Sequence, residues 1–123
     1  MRLKIFVCTA LLSLSTAVLA HSDRPDHFEG LPANTLTEAV HNFSAYNAKL
    51  AELVALDSLT PHQLHEVHQL TYTLENALEK MQAELAELAE VLEEVHVASE
   101  HSDGAKVKAR GQVYLDTARK LVP

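Results

Sequence analysis

The chain has 123 residues, with 17 acidic against 10 basic side chains, a formal net charge of −7 and eight histidines. A chain this acidic repels phosphate backbones and anionic lipid surfaces, which excludes nucleic acid as a partner class. Its length suits one domain, and its one cysteine, Cys8, leaves no pair for a disulfide.

Residues 1–20 read as a secretory signal peptide. Arg2 and Lys4 precede an apolar stretch from Ile5 to Leu14, and Val18, Leu19 and Ala20 close it on a small residue, the pattern of a signal peptidase substrate. Ser13, Ser15 and Thr16 interrupt the run, so it falls short of the roughly 20 apolar residues of a retained anchor. Cleavage after Ala20 is expected to remove Cys8, Arg2 and Lys4, leaving 103 residues with 8 basic and 17 acidic side chains, a net charge of −9. No later segment is apolar enough to span a bilayer, so no membrane contact is expected after cleavage, and thiol chemistry is excluded.

Residues 21–34 carry Pro25, Gly30 and Pro32 among charges, with Phe28 and Leu31 as the sizeable apolar groups. Prolines and glycine punctuate this stretch too densely for a helix, and it reads as an extended N-terminal arm. The helical domain follows over residues 35–123. Thr35 with Glu38 is a capping-box start, and Leu36, Val40, Phe43, Asn47, Leu50 and Val54 keep one face, giving a first helix of about 35–56 that stops at Asp57 and Ser58. Thr60, Pro61 and Gln63 repeat the start signal.

From there Leu64, Val67, Thr71, Leu74, Leu78, Met81, Leu85, Leu88, Leu92, Val95 and Ser99 alternate steps of three and four without a glycine or proline before Gly104. That spacing predicts a second helix over about 60–101 with these residues as its seam. Gly104 is expected to end it in a left-handed conformation, Ser102 or Asp103 to cap a third helix over about 105–121, and Val107, Gly111, Tyr114, Ala118 and Leu121 to face inward.

Short connections fold consecutive helices back on each other. The expected fold is all-α: antiparallel helical hairpins around one long central helix, three helices in a coiled-coil-like or bundle-like packing. The glutamates from Glu84 to Glu100 face a third helix carrying Lys106, Lys108, Arg110, Arg119 and Lys120, which selects the docking partner although exposed pairs contribute well under about 1 kcal/mol each. This rod leaves Leu70, Ala77, Val91 and Ala98, with Ala39, Tyr46 and Leu53, as a second apolar edge. A second copy covers that edge if the long helix is straight; a bend between Met81 and Ala86 would instead close a monomeric four-helix bundle. The straight helix is the expectation, because kinks have identifiable causes and none is present.

The histidines are the compositional oddity. His62, His65 and His68 stand at three-residue steps, and adjacent imidazoles could share copper or zinc; His21, at the expected new N-terminus, and His27 could chelate copper. A fixed zinc site needs three or four ligands from more than one element, and the first helix offers none facing them. The expectation is therefore solvated histidines and no bound metal or other cofactor. Haem is not expected either, since Met81 has no histidine on the third helix to face it and reads as a core gap-filler. Ser44, Ser58, Ser99 and Ser102 lack an evident histidine–carboxylate relay, so no enzyme is expected.

Two segments, Arg24-Pro-Asp-His-Phe-Glu-Gly-Leu-Pro-Ala33 and Leu70-Thr-Tyr-Thr-Leu-Glu-Asn-Ala-Leu78, resemble a family of small exported bacterial proteins known only as a domain of unknown function, across the whole chain after residue 20. Helical patterning does not demand Tyr72, Thr73 and Asn76, which lie off the seam. The resemblance implies a periplasmic location and no activity, and it marks His27, Tyr72 and Asn76 as positions without an assigned role. The expected function is a non-enzymatic periplasmic binding or interaction rod whose partner is itself, as a homodimer, or another periplasmic protein; low-affinity copper or zinc binding through the histidines is the alternative.

Overall fold

The computed structural model describes residues 28–122; the expected signal peptide, and residues 21–27 of the expected arm with His21 and His27, lie outside them. Three α-helices, and no strand among the described residues, follow a short extended segment: α1 Leu36–Val54, α2 Pro61–Glu100 and α3 Gly104–Leu121.

Local chemistry explains the boundaries. The Thr35 hydroxyl accepts from the Glu38 amide at 3.1 Å, but the Glu38 carboxylate reaches one residue further back than a capping box requires and accepts from the Asn34 amide at 2.8 Å. At α2 the box is complete, with the Thr60 amide donating to Gln63 Oε1 at 2.9 Å and the Gln63 amide to Thr60 Oγ1 at 3.3 Å. Pro61 occupies the first turn, where its missing amide leaves no bond unmade.

The reversal between α2 and α3 corrects the expectation for Gly104. Ser102 takes the left-handed conformation, at φ 56°, while Gly104 is the first residue of α3. The reversal falls directly after the cap residue His101: the Ser102 amide donates to the Ser99 carbonyl at 3.1 Å and the Asp103 amide to the Ala98 carbonyl at 2.9 Å, so the position needing positive φ comes two residues before the glycine. Asp103 then caps α3, accepting from the Lys106 amide at 3.0 Å. Ser102→Gly is expected to relieve this conformation and stabilise the protein by about 0.5–1 kcal/mol, a rise of roughly 3–6 °C in melting temperature; unchanged or lower melting would contradict it.

α2 is unbroken over 40 residues, about 60 Å at 1.5 Å per residue. α1, of 19 residues, and α3, of 18, lie against it in succession and touch each other lightly. The result is a rod two helices thick.

Burial reassigns the faces of α2. With the repeat written so that Leu64 is position a, the core takes position g, where Leu70, Ala77 and Ala98 are buried and Val91 is half-buried, together with position d, where Leu74 and Leu88 are buried and Val67, Met81 and Val95 half-buried. Position a is left outside: Leu64, Leu78, Leu85 and Leu92 are 54%, 42%, 48% and 46% exposed. The edge expected to be spare is thus the internal seam, and half of the expected seam is spare. α1 shifts in the same sense, burying Leu36, Ala39, Asn42 and Leu53 and leaving Val54 exposed. An amphipathic stripe three rows wide fixes which rows are apolar but leaves open which adjacent two meet the first partner.

The core is strongest in the α1 half, where Leu53, Leu70 and Leu74 pack with Phe43, Tyr46, Leu50, Leu59 and Val67. α3 buries no residue fully; Val107, Gly111, Tyr114, Ala118 and Leu121 are half-buried, facing inward as expected. Arg110 anchors it: Nη2 donates to Glu94 Oε1 at 2.8 Å and Nε stands 2.8 Å from Oε2. Of the other stripe glutamates, Glu84 turns instead to Lys80 of its own helix at 2.6 Å. That hydrogen bond holds the Lys80 ammonium above the ordinary lysine range, so the lysine's share of the contact is lost as pH rises past that raised value.

Candidate functional site

Two surface features stand out from the rod, a strap on one flank and a bare apolar face on another. The strap is residues 28–34, whose backbone has no secondary-structure partner and is satisfied by side chains of α1 and α2 instead. Thr73, 1% exposed, accepts from the Leu31 amide at 3.0 Å. Asn76 Nδ2 donates to the carbonyls of Glu29 at 2.9 Å and Leu31 at 3.0 Å, and Asn42 Nδ2 donates to the Pro32 carbonyl at 3.1 Å.

Gly30 makes this approach possible. Its φ of +69° suits glycine, and a Cβ there would lie 2.7 Å from the Thr73 nitrogen and 2.8 Å from the Tyr72 carbonyl carbon, both backbone atoms with no freedom to withdraw. Phe28 then lays its ring 5.7 Å from that of the buried Tyr72. Tyr72 meets His68 edge-on at 5.1 Å, its hydroxyl 3.4 Å from His68 Nε2, and His68 lies 6.4 Å from His65.

Tyr72 and Asn76, off the seam and without a role in the sequence, therefore seat the strap, as does Thr73. Gly30 and Asn42 were not foreseen in that capacity. Asn76→Ala is expected to cost about 1–2 kcal/mol, because two carbonyls lose their donor, and to speed hydrogen exchange at the Leu31 amide. Equal exchange rates in the two proteins would show that Asn76 does not hold the strap.

The histidines do not converge. His62, His65 and His68 project from the exposed first turns of α2, and among the described residues no three histidine, aspartate or glutamate side chains are placed to hold a metal. Ser99 donates its hydroxyl to the His96 carbonyl at 2.6 Å, and His96 lies 3.4 Å from Glu100.

The second feature is the face carrying position a. The strap contacts (Thr73, Asn76, Asn42) and the Arg110–Glu94 pair lie together on one flank of the rod. Helical spacing puts position a of α2 on the opposite flank, with the Val40/Asn47/Val54 row of α1 and the Gly111/Ala118 and Leu115/Val122 rows of α3. A shallow groove of about 550 Å³ opens there between Ala89, Leu92, Val95, His96 and Ser99, rimmed by Glu93. No helix among the described residues is long and apolar enough to cross a membrane.

A family model described as a family of unknown function, DUF6746, matches residues 1–123, and the chain belongs to that family. The resemblance read from the two segments is borne out at that level. No curated protein and no solved structure matches the chain.

Proposed function

We propose that the protein is an exported, non-enzymatic interaction module that works in the periplasm as a rigid helical rod. The observation that carries this reading is the row Leu64, Leu78, Leu85 and Leu92, four leucines in register along one unbroken helix that both short helices leave exposed. Isolated exposed leucines need no explanation, but a row with leucine at four of five successive heptad positions is a surface made to be covered. The positive, apolar and small-residue pattern of residues 1–20 supports export. Copper or zinc binding through His21 and His27, or through His62, His65 and His68, is the alternative; it ranks behind because the latter three form no convergent ligand set.

The test is a photo-reactive side chain installed at Leu85, on the strip, or at Val97, on another face of α2, in cells expressing the full chain. Cross-linking at Leu85 and none at Val97, with the periplasmic protein beginning at His21, is the expected result. A protein retained in the cytoplasm, or a Leu85 probe that captures nothing, would overturn the proposal.

A further inference from the structure

The exposed face has a chemistry that selects its occupant. On α2 it comprises position a and the adjoining row His68, Glu75, Gln82, Ala89 and His96; on α1 it comprises the exposed Thr37, Ser44, Ala51 and Val54 beside the half-buried Val40 and Asn47; on α3 it comprises the exposed Lys108, Leu115 and Val122 beside the half-buried Gly111 and Ala118. In a chain with 17 carboxylates, those rows hold one carboxylate, Glu75, and one ammonium, Lys108. Glu66, Glu79, Glu87, Glu90, Glu93, Glu94 and Glu100 all sit on the other rows of α2. Two molecules of an acidic protein repel each other over most of their surfaces, and among the described residues this long face brings few carboxylates together when two copies meet on it.

The dimensions fit. A face about 60 Å long and two helices wide, with axes 8–10 Å apart, presents on the order of 1,000 Å², whereas a standard stable interface takes about 800 Å² from each partner. Resting on the interaction reading above, we infer that the occupant is a second copy of this chain, packed antiparallel across this face to make a rod four helices in cross-section.

Sequence complementarity sets the direction. Two rods meeting face to face about a two-fold axis run either parallel, which lays α2 on the α1 and α3 of the partner subunit, or antiparallel, which lays α2 on α2. The parallel arrangement sets Thr71 and Leu78 against Thr37, Val40, Ser44 and Asn47 of the partner subunit and, since Arg110 lies level with Glu94, brings Lys108 over His96 of the partner subunit. The antiparallel arrangement, with its axis between Leu78 and Leu85, sets Leu78 on Leu85 of the partner subunit, Thr71 on Leu92 of the partner subunit, and Leu64 on Ser99 of the partner subunit, beside the groove that Ala89, Leu92 and Val95 line. Large side chains then meet small ones at both ends and leucine meets leucine at the centre, while Lys108 comes opposite Asn47, which can accept from it. The strap lies on the far flank and remains free.

Single cysteines test this in a chain whose Cys8 is absent with the signal peptide or replaced by serine. Leu64→Cys and Ser99→Cys proteins, mixed and treated with a short bis-maleimide, are expected to form cross-linked dimers, and neither alone is expected to do so. Cross-linking of Leu64→Cys to itself would overturn the antiparallel direction. Leu85→Glu, at an exposed position where the fold tolerates charge, is expected to raise the dimer dissociation constant at least ~100-fold with unchanged helical circular dichroism, and Val97→Glu to leave it unaltered. A monomer at every concentration would overturn the second copy; if the Leu85 photo-probe still captured a different protein, the interaction reading would stand while this inference failed.

Discussion

Gly30→Ala is expected to destabilise the protein by about 2–3 kcal/mol while leaving its helical content almost unchanged. The left-handed conformation alone disfavours an L side chain by roughly 1–2 kcal/mol. The added methyl group would also press on the backbone of α2 at Thr73 and Tyr72, and a helix backbone cannot step aside as a flexible side chain can. Relief comes by lifting the strap away, which abandons the Leu31–Thr73, Asn76–Glu29, Asn76–Leu31 and Asn42–Pro32 hydrogen bonds and uncovers Tyr72. The chain regains backbone entropy on release, and this caps the loss. Melting should fall by on the order of 10 °C, with the largest acceleration of hydrogen exchange at Leu31, where the strap opens locally. A variant that melts with the wild type would mean that the strap is not seated as described.

The second large effect separates two leucines that sequence periodicity placed on the wrong sides of α2. Leu70, 5% exposed in the cluster with Leu53 and Leu74, should cost about 2–4 kcal/mol as Leu70→Ala, through lost transfer energy and the cavity left behind. That loss should be the same at every protein concentration. Leu78→Ala removes the same atoms from a position 42% exposed within one chain, so its effect should be smaller than that of Leu70→Ala on dilution and grow with concentration as the strip becomes covered. Chemical denaturation of both variants across a hundredfold concentration range checks this. Equal, concentration-independent losses would return Leu78 to the internal seam.

The contrast shows how far the fold was legible. Helix existence, capping and order followed from Thr60 with Gln63, from Asp103 and from the long interval without glycine or proline. The choice among three adjacent apolar rows did not, because periodicity reports which rows are apolar and only packing decides which two meet α1 and α3. The strap was hidden for a different reason. Its holders are polar side chains that bond the backbone of a distant segment, and neither propensity nor hydrophobic pattern carries that information. What the sequence did supply was an anomaly, in that Tyr72, Thr73 and Asn76 had no helical reason to be there.

Sedimentation equilibrium of the protein released from the periplasm, from nanomolar to high micromolar concentration and beside Leu85→Glu, bears most directly on the exposed strip as an interaction surface. The wild type should associate reversibly to a dimer and Leu85→Glu should stay monomeric over the same range. A wild type that is monomeric throughout and binds no partner through Leu85, or a Leu85→Glu protein that associates as well as the wild type, would contradict it.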